Sequence, residues 1–171
     1  MSGKAIGISM NYGFPGSYAR TPDLITTSRM LKEGEKDVPF GACLALNDDN
    51  TYSGVNESFT AEKFGGVALR VIKQATSYME QNETAYHAKE AVNALNRGSV
   101  VVACNNGTPT AGGKVYVRVK ANTSIVNGVV GGFEAEADGT NTVLLPNVQW
   151  TNGYIDANGV AEITILTRAN A

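Results

Sequence analysis

The chain has 171 residues, 43% hydrophobic and 18% charged, with 14 basic against 16 acidic side chains and a formal net charge of −2. That length suffices for one domain with one core, and the composition excludes gross disorder. The near-neutral balance excludes a strongly basic nucleic-acid binder, and the sequence holds no run of about 18 apolar residues to span a membrane.

Residues 1–36 read as an N-terminal arm and 37–171 as a β domain. The opening MSGKAIGISMNYG lacks the apolar stretch and cleavage site of a secretory signal. In the arm, Tyr12, Phe14 and Tyr18 are set among Gly13, Pro15 and Gly16, with Arg20 and Pro22 following. Glycine and proline break regular structure while aromatic rings favour burial. Such a segment wraps its own domain or contacts another chain, and Tyr12, Phe14, Pro15, Tyr18 and Arg20 are the contact candidates.

Strands are predicted over 38–46, 66–73, 91–104, 114–120, 132–138, 142–150 and 160–167, together an antiparallel β-barrel or sandwich. Between the first two, Asn47-Asp48-Asp49-Asn50 is a turn from which Thr51-Tyr52-Ser53 returns. Its paired aspartates lack the spacing of a calcium loop. Residues 74–96 are open between a short helix, from the spacing of Ala85, Ala88, Val92 and Leu95, and a loop leading into a strand. His87, the only histidine, has no Cys, Asp or Glu at ligand spacing, so no metal site is expected.

The strongest signal is Asn96–Val119, where a β-branched run (Val100, Val101, Val102) and an alternating strand flank a glycine-rich loop. Val115, Val117 and Val119 fall on one face there, and Lys114 and Arg118 on the other. GGFEAEAD at 131–138 places Phe133 inward and Glu134 outward by the same rule. Residues 121–127 read as a polar loop. Asn158-Gly159 suits a hairpin turn before the last strand. The expected core is Val67, Leu69, Val71, Val100, Val102, Val115, Val117, Val119, Phe133, Ile163 and Ile165. Trp150 is an anchor of the core or of an interface.

Catalytic signatures are missing. GTPTAGGK at 107–114 imitates a phosphate loop, but Gly113 stands where lysine is required and a strand follows instead of a helix. One histidine supports no Ser-His-Asp or Cys-His set. Cys43 and Cys104 read as buried free thiols. No catalytic residue, metal or cofactor is expected, and the chain is not read as an enzyme.

Taken together, GISMNYGFPGSYAR, FGGVALRVIKQAT, RGSVVVACNNGTPTAGGKVYVRV, GGFEAEADGTNTVLLPNVQW and GYIDANGVAEITILTR resemble the structural cement, or capsid decoration, proteins of tailed bacteriophages and prophages. The resemblance implies a structural virion protein, made in the bacterial host cytoplasm, that binds the outer capsid surface and bridges neighbouring subunits. The implied partners are the major capsid protein and further copies of itself, a trimer being favoured and a dimer possible, with no nucleic acid and no membrane. Competing readings are a tail-tube or head–tail joining subunit, and a carbohydrate- or host-surface-binding module.

Overall fold

The structure, a computed structural model, describes residues 11–71 and 84–167. Its strands are β1 Ile25–Met30, β2 Val38–Pro39, β3 Cys43–Leu46, β4 Tyr52–Gly54, β5 Phe64–Ala68, β6 Ala85–Tyr86, β7 Ala91–Ala103, β8 Lys114–Arg118, β9 Phe133–Glu134, β10 Thr142–Trp150 and β11 Val160–Ile165. Nine of them form one sheet in the order β4-β3-β5-β7-β11-β10-β8-β9, with β1 also on β7, while β2 and β6 pair separately. The pairings are antiparallel, and the sheet curls into a half-barrel. Its curl brings β9 back to the end of β7, where Cys104 and Phe133 form a bridge and Asn105 N–H donates to Phe133 O at 2.9 Å.

The 13-residue β7 is the spine. Its first half lies between β1 and β5, with Ala94 opposite Thr27 on one edge and Ala68 on the other. Its second half pairs with β11 through Val100–Ile163 and their neighbours. The remaining edge of that half is taken by the N-terminal segment: Gly16 N–H donates to Val101 O at 2.7 Å and Val101 N–H to Ser17 O at 3.0 Å. A strand so enclosed needs apolar residues on both faces, and Val100, Val101 and Val102 are all buried. The strand bends at Gly98, whose φ is +113° and where any Cβ would lie 2.3 Å from Asp23 O. Only glycine meets both conditions.

Inside the curl, Trp150, Phe133, Leu145, Ile163, Ile165, Val100, Val102, Val115 and Val117 form the larger core. A second cluster, with Leu31, Phe40, Leu44, Tyr52, Tyr86 and Val92, fills the space beneath β1 to β6. The Phe40 and Tyr86 rings meet edge to face at 5.1 Å, and Tyr86 OH donates to Leu69 O at 2.7 Å.

Ten of the expected core residues are buried and Val71 is half-buried. The 38–46 segment is two strands, because residues 40–42 turn. The 66–73 strand begins at Phe64 and stops at Ala68, and 72–73 lie outside the described residues. Within 84–96 the chain forms β6, a turn over 87–90 and the start of β7, whereas 74–83 lie outside the described residues. Residues 25–30, read as part of an irregular segment, pair with β7 over their whole length.

One face assignment is corrected. Arg118 and Glu134, expected in solvent, are completely buried together. Arg118 Nη2 donates to Glu134 Oε2 at 2.9 Å, Nε to Oε1 at 2.5 Å, and Nη1 to Asp138 Oδ2 at 2.9 Å. Alternation correctly separates them from Val117 and Phe133, but the connection between β8 and β9 folds over their face and removes the water. Replacing Arg118 by alanine strands a buried carboxylate and is expected to cost about 3–5 kcal/mol. Lys120→Ala, which removes an exposed 3.7 Å pair with Glu57, should cost less than about 0.5 kcal/mol. Urea melts of the two variants check the contrast.

Candidate functional site

Residues 11–24 lie on the outside of β7 and β11 and are tied down at three places. At the first, Tyr12 N–H donates to Asp156 Oδ2 at 2.9 Å, and Tyr12 OH to Asn152 Oδ1 at 2.9 Å. The Tyr12 ring also meets that of Tyr154, 5.7 Å away. At the second, Gly16, Ser17 and Ala19 continue the ladder on β7. At the third, the Arg20 guanidinium grips Glu162, Nη2 to Oε2 at 3.1 Å. Glu162 is buried on β11 although the Arg20 side chain is 62% exposed.

Asp156 sits in the turn between β10 and β11, a local consequence of Asp-Ala-Asn-Gly. Its Oδ1 accepts the N–H groups of Asn158 and Val160, both at 2.9 Å. Burial alone would raise its pKa, but the Val160, Tyr12 and Asn158 N–H groups outweigh that and hold the carboxyl below the usual aspartate value.

The contact candidates therefore divide. Tyr12, Pro15 and Arg20 are held by the domain: Pro15 is half-buried and packs so close to Gly41 that a Cβ there would meet it at 2.6 Å. Phe14 and Tyr18 stay in solvent, 62% and 51% exposed. The Arg70 guanidinium lies 4.3 Å above the Phe14 ring, covering one face of it. His87 is not isolated: Asp37 Oδ1 lies 2.8 Å from its Nδ1. The two are far apart in sequence and meet because Val38 of β2 pairs with Tyr86 of β6.

A second exposed apolar feature escaped the sequence reading. The connection between β8 and β9, SIVNGVVGG at 124–132, leaves Val126 93% and Val129 56% exposed. Its backbone is nonetheless held. Gly128 crosses the Arg118 side chain so closely that a Cβ would meet Nε at 2.6 Å. Gly131 N–H donates to Arg118 O at 2.8 Å, and Cys43 N–H to Gly131 O at 2.9 Å. Asn122 and Arg118 both donate to Asp138, and these bonds, Asn122 foremost, keep its carboxyl below the ordinary value. The signal available in the sequence was a run from Ala121 to Phe133 with valines and without a single charge.

A family model described as XM1 gp53 minor capsid protein matches residues 3–165. No curated protein matches the sequence. Among solved structures, a chain of the capsid of Myoviridae phage XM1 shares the fold, with a TM-score of 0.68 and 12% identity. The alignment covers 96% of this chain and 98% of that chain. At that identity the likeness is one of architecture.

Asp138 and Asp156 titrate below their ordinary values in the folded chain. Their stabilisation is therefore complete above about pH 4, the unfolded aspartate range, and is lost as pH falls through the lowered folded values. Melting temperature is expected to be flat with respect to these two groups from neutrality down to that range and to drop below it. Asp156→Asn should lower the melting temperature at pH 7 and reduce the acid-induced drop, measured by calorimetry across the pH series.

Proposed function

The chain belongs to the XM1 gp53 minor capsid protein family, and from that premise we propose that it binds the outer surface of a tailed-phage capsid and cements neighbouring capsid subunits. Its coarse role is that of a structural protein of the phage capsid. In the finer reading its partners are the major capsid protein and other copies of itself, and its place is the outside of the virion. The role is mechanical and not enzymatic.

The observation that carries this reading is the state of the N-terminal segment. Its backbone is bonded to β7 while Phe14 and Tyr18 face solvent. Aromatic side chains on a backbone already ordered lose little conformational freedom on docking, so such residues dominate many interfaces. In this reading Phe14 and Tyr18 contact the shell, and Tyr12, Pro15 and Arg20 position them. Support for a non-catalytic role comes from the carboxylates of this region: Asp156 accepts three backbone N–H groups and Glu162 both bonds of the Arg20 fork, so both are engaged in structure.

Deleting residues up to Lys32 would remove β1 and uncover an edge of β7, so point substitutions give the cleaner test. Phe14→Ser combined with Tyr18→Ser should weaken binding to emptied, undecorated capsids by roughly 30-fold or more, the scale of a lost aromatic anchor. The melting temperature should barely move, since both side chains are on the surface. Co-sedimentation with capsids measures the first and calorimetry the second. Unchanged affinity would remove this segment from the contact surface.

A further inference from the structure

We propose that Asn152 is a self-modification site: the chain converts its own Asn152-Gly153 pair into aspartate and isoaspartate, and the Tyr12 hydroxyl assists the step.

Four Asn-Gly pairs occur in the sequence, with asparagine at 106, 127, 152 and 158. Such a pair reacts when the glycine N–H is free to lose its proton and the nitrogen can reach the adjoining side-chain amide. Glycine favours this because no Cβ shields its nitrogen. The structure separates the four. Gly128 N–H donates to Ile125 O and Gly159 N–H to Asp156 O, both at 3.0 Å, so those two nitrogens are engaged. Gly107 lies against Glu136, whose Cγ a Cβ would meet at 2.6 Å, and a carboxylate there opposes negative charge on the nitrogen. Gly153 is exposed, and its N–H has no hydrogen-bond partner among the described residues.

Asn152 is also prepared at its carbonyl. Its Oδ1 accepts the Tyr12 hydroxyl at 2.9 Å and Tyr154 N–H at 3.3 Å. A backbone N–H can only donate, which fixes the atom in this place as oxygen and leaves Nδ2 as the leaving group. In the reaction, solvent hydroxide takes the Gly153 proton and the nitrogen attacks Cγ. Negative charge collects on Oδ1, where the two donors stabilise it. Collapse breaks the Cγ–Nδ2 bond. Nδ2 takes a proton from water and departs as ammonia, leaving a cyclic imide. Water then opens the ring at either carbonyl, so that in sum the amide and a water become a carboxylic acid and ammonia. Opening to isoaspartate inserts a methylene into the β10–β11 connection and displaces the acceptor that Tyr12 OH uses. The modification thereby loosens the Tyr12 tie of the N-terminal segment.

The test incubates the full-length protein in mildly alkaline buffer and follows amide-to-acid conversion at all four asparagines by peptide mapping and mass spectrometry. Asn152 should convert at least about tenfold faster than each of the others, the low end of what oxyanion donors contribute. Unfolded in urea, the chain should lose this preference. Tyr12→Phe keeps the ring beside Tyr154 and removes one donor, so conversion at Asn152 should slow by about tenfold, with circular dichroism verifying the fold. No conversion at Asn152, faster conversion at Asn106, Asn127 or Asn158, or a preference that survives unfolding would overturn the proposal. Unchanged or faster conversion in Tyr12→Phe would also overturn it, because the hydroxyl then only restrains the amide.

Discussion

Backbone pairing along both edges of β7 is the constraint on which the rest of the structure depends. A buried strand must satisfy every N–H and C=O it carries. This strand does so by recruiting β1 and β5 on one side of its bend, and β11 with the N-terminal segment on the other. The bend at Gly98 turns the two halves of the sheet relative to one another. It is stabilised where Asp23 approaches the glycine backbone and its carboxylate pairs with Arg97 at 3.1 Å. Residues 16–30 thus follow β7 across the bend. They are part of the fold, and Tyr18, the aromatic among them, faces outward.

The buried ion pair has a different purpose. Removing Arg118 and Glu134 from water costs several kcal/mol each before their attraction offsets it, so an apolar pair of similar shape would serve stability as well. An apolar pair would not supply directed bonds to Asp138 and to the Lys120 carbonyl, which Arg118 makes at 2.9 and 3.2 Å. Those bonds fix the path of the β8–β9 connection and, through Gly128 lying on the guanidinium, the height at which the valines stand. We read the pair as a device for placement.

Much of the sheet was legible from periodicity, and its failures have physical causes. Strand β10 spans 142–150 as read, and β7 ends one residue short of the predicted boundary. Both runs are rich in β-branched residues and bounded by turn chemistry. Alternation tells which side chains share a face but not whether that face meets water, so Glu134 reads as outside although the loop leading into its own strand covers it. Thr26, Thr27 and Ser28 carry no apolar stripe, so β1 is visible only through its partner, some seventy residues away. In the candidate site, Phe14 and Tyr18 stood out as aromatics among glycine and proline. Their separation from Tyr12, Pro15 and Arg20 depends on Asp156 and Glu162, contacts that no local pattern encodes. The valine loop was missed because its polar beginning, Ala121 to Ser124, masked the apolar residues that follow.

The proposed role makes one physical claim: an ordered β domain, presenting outward-facing aromatics on a fixed backbone, spans the joint between capsid subunits. The direct measurement is a cryo-electron reconstruction of emptied capsids after incubation with the purified full-length protein. The account predicts added density on the outer surface, straddling boundaries between neighbouring capsid subunits, with the Phe14–Tyr18 edge against the shell. Density confined to the interior or to a head–tail vertex, or a shell unchanged by saturating protein, would contradict it.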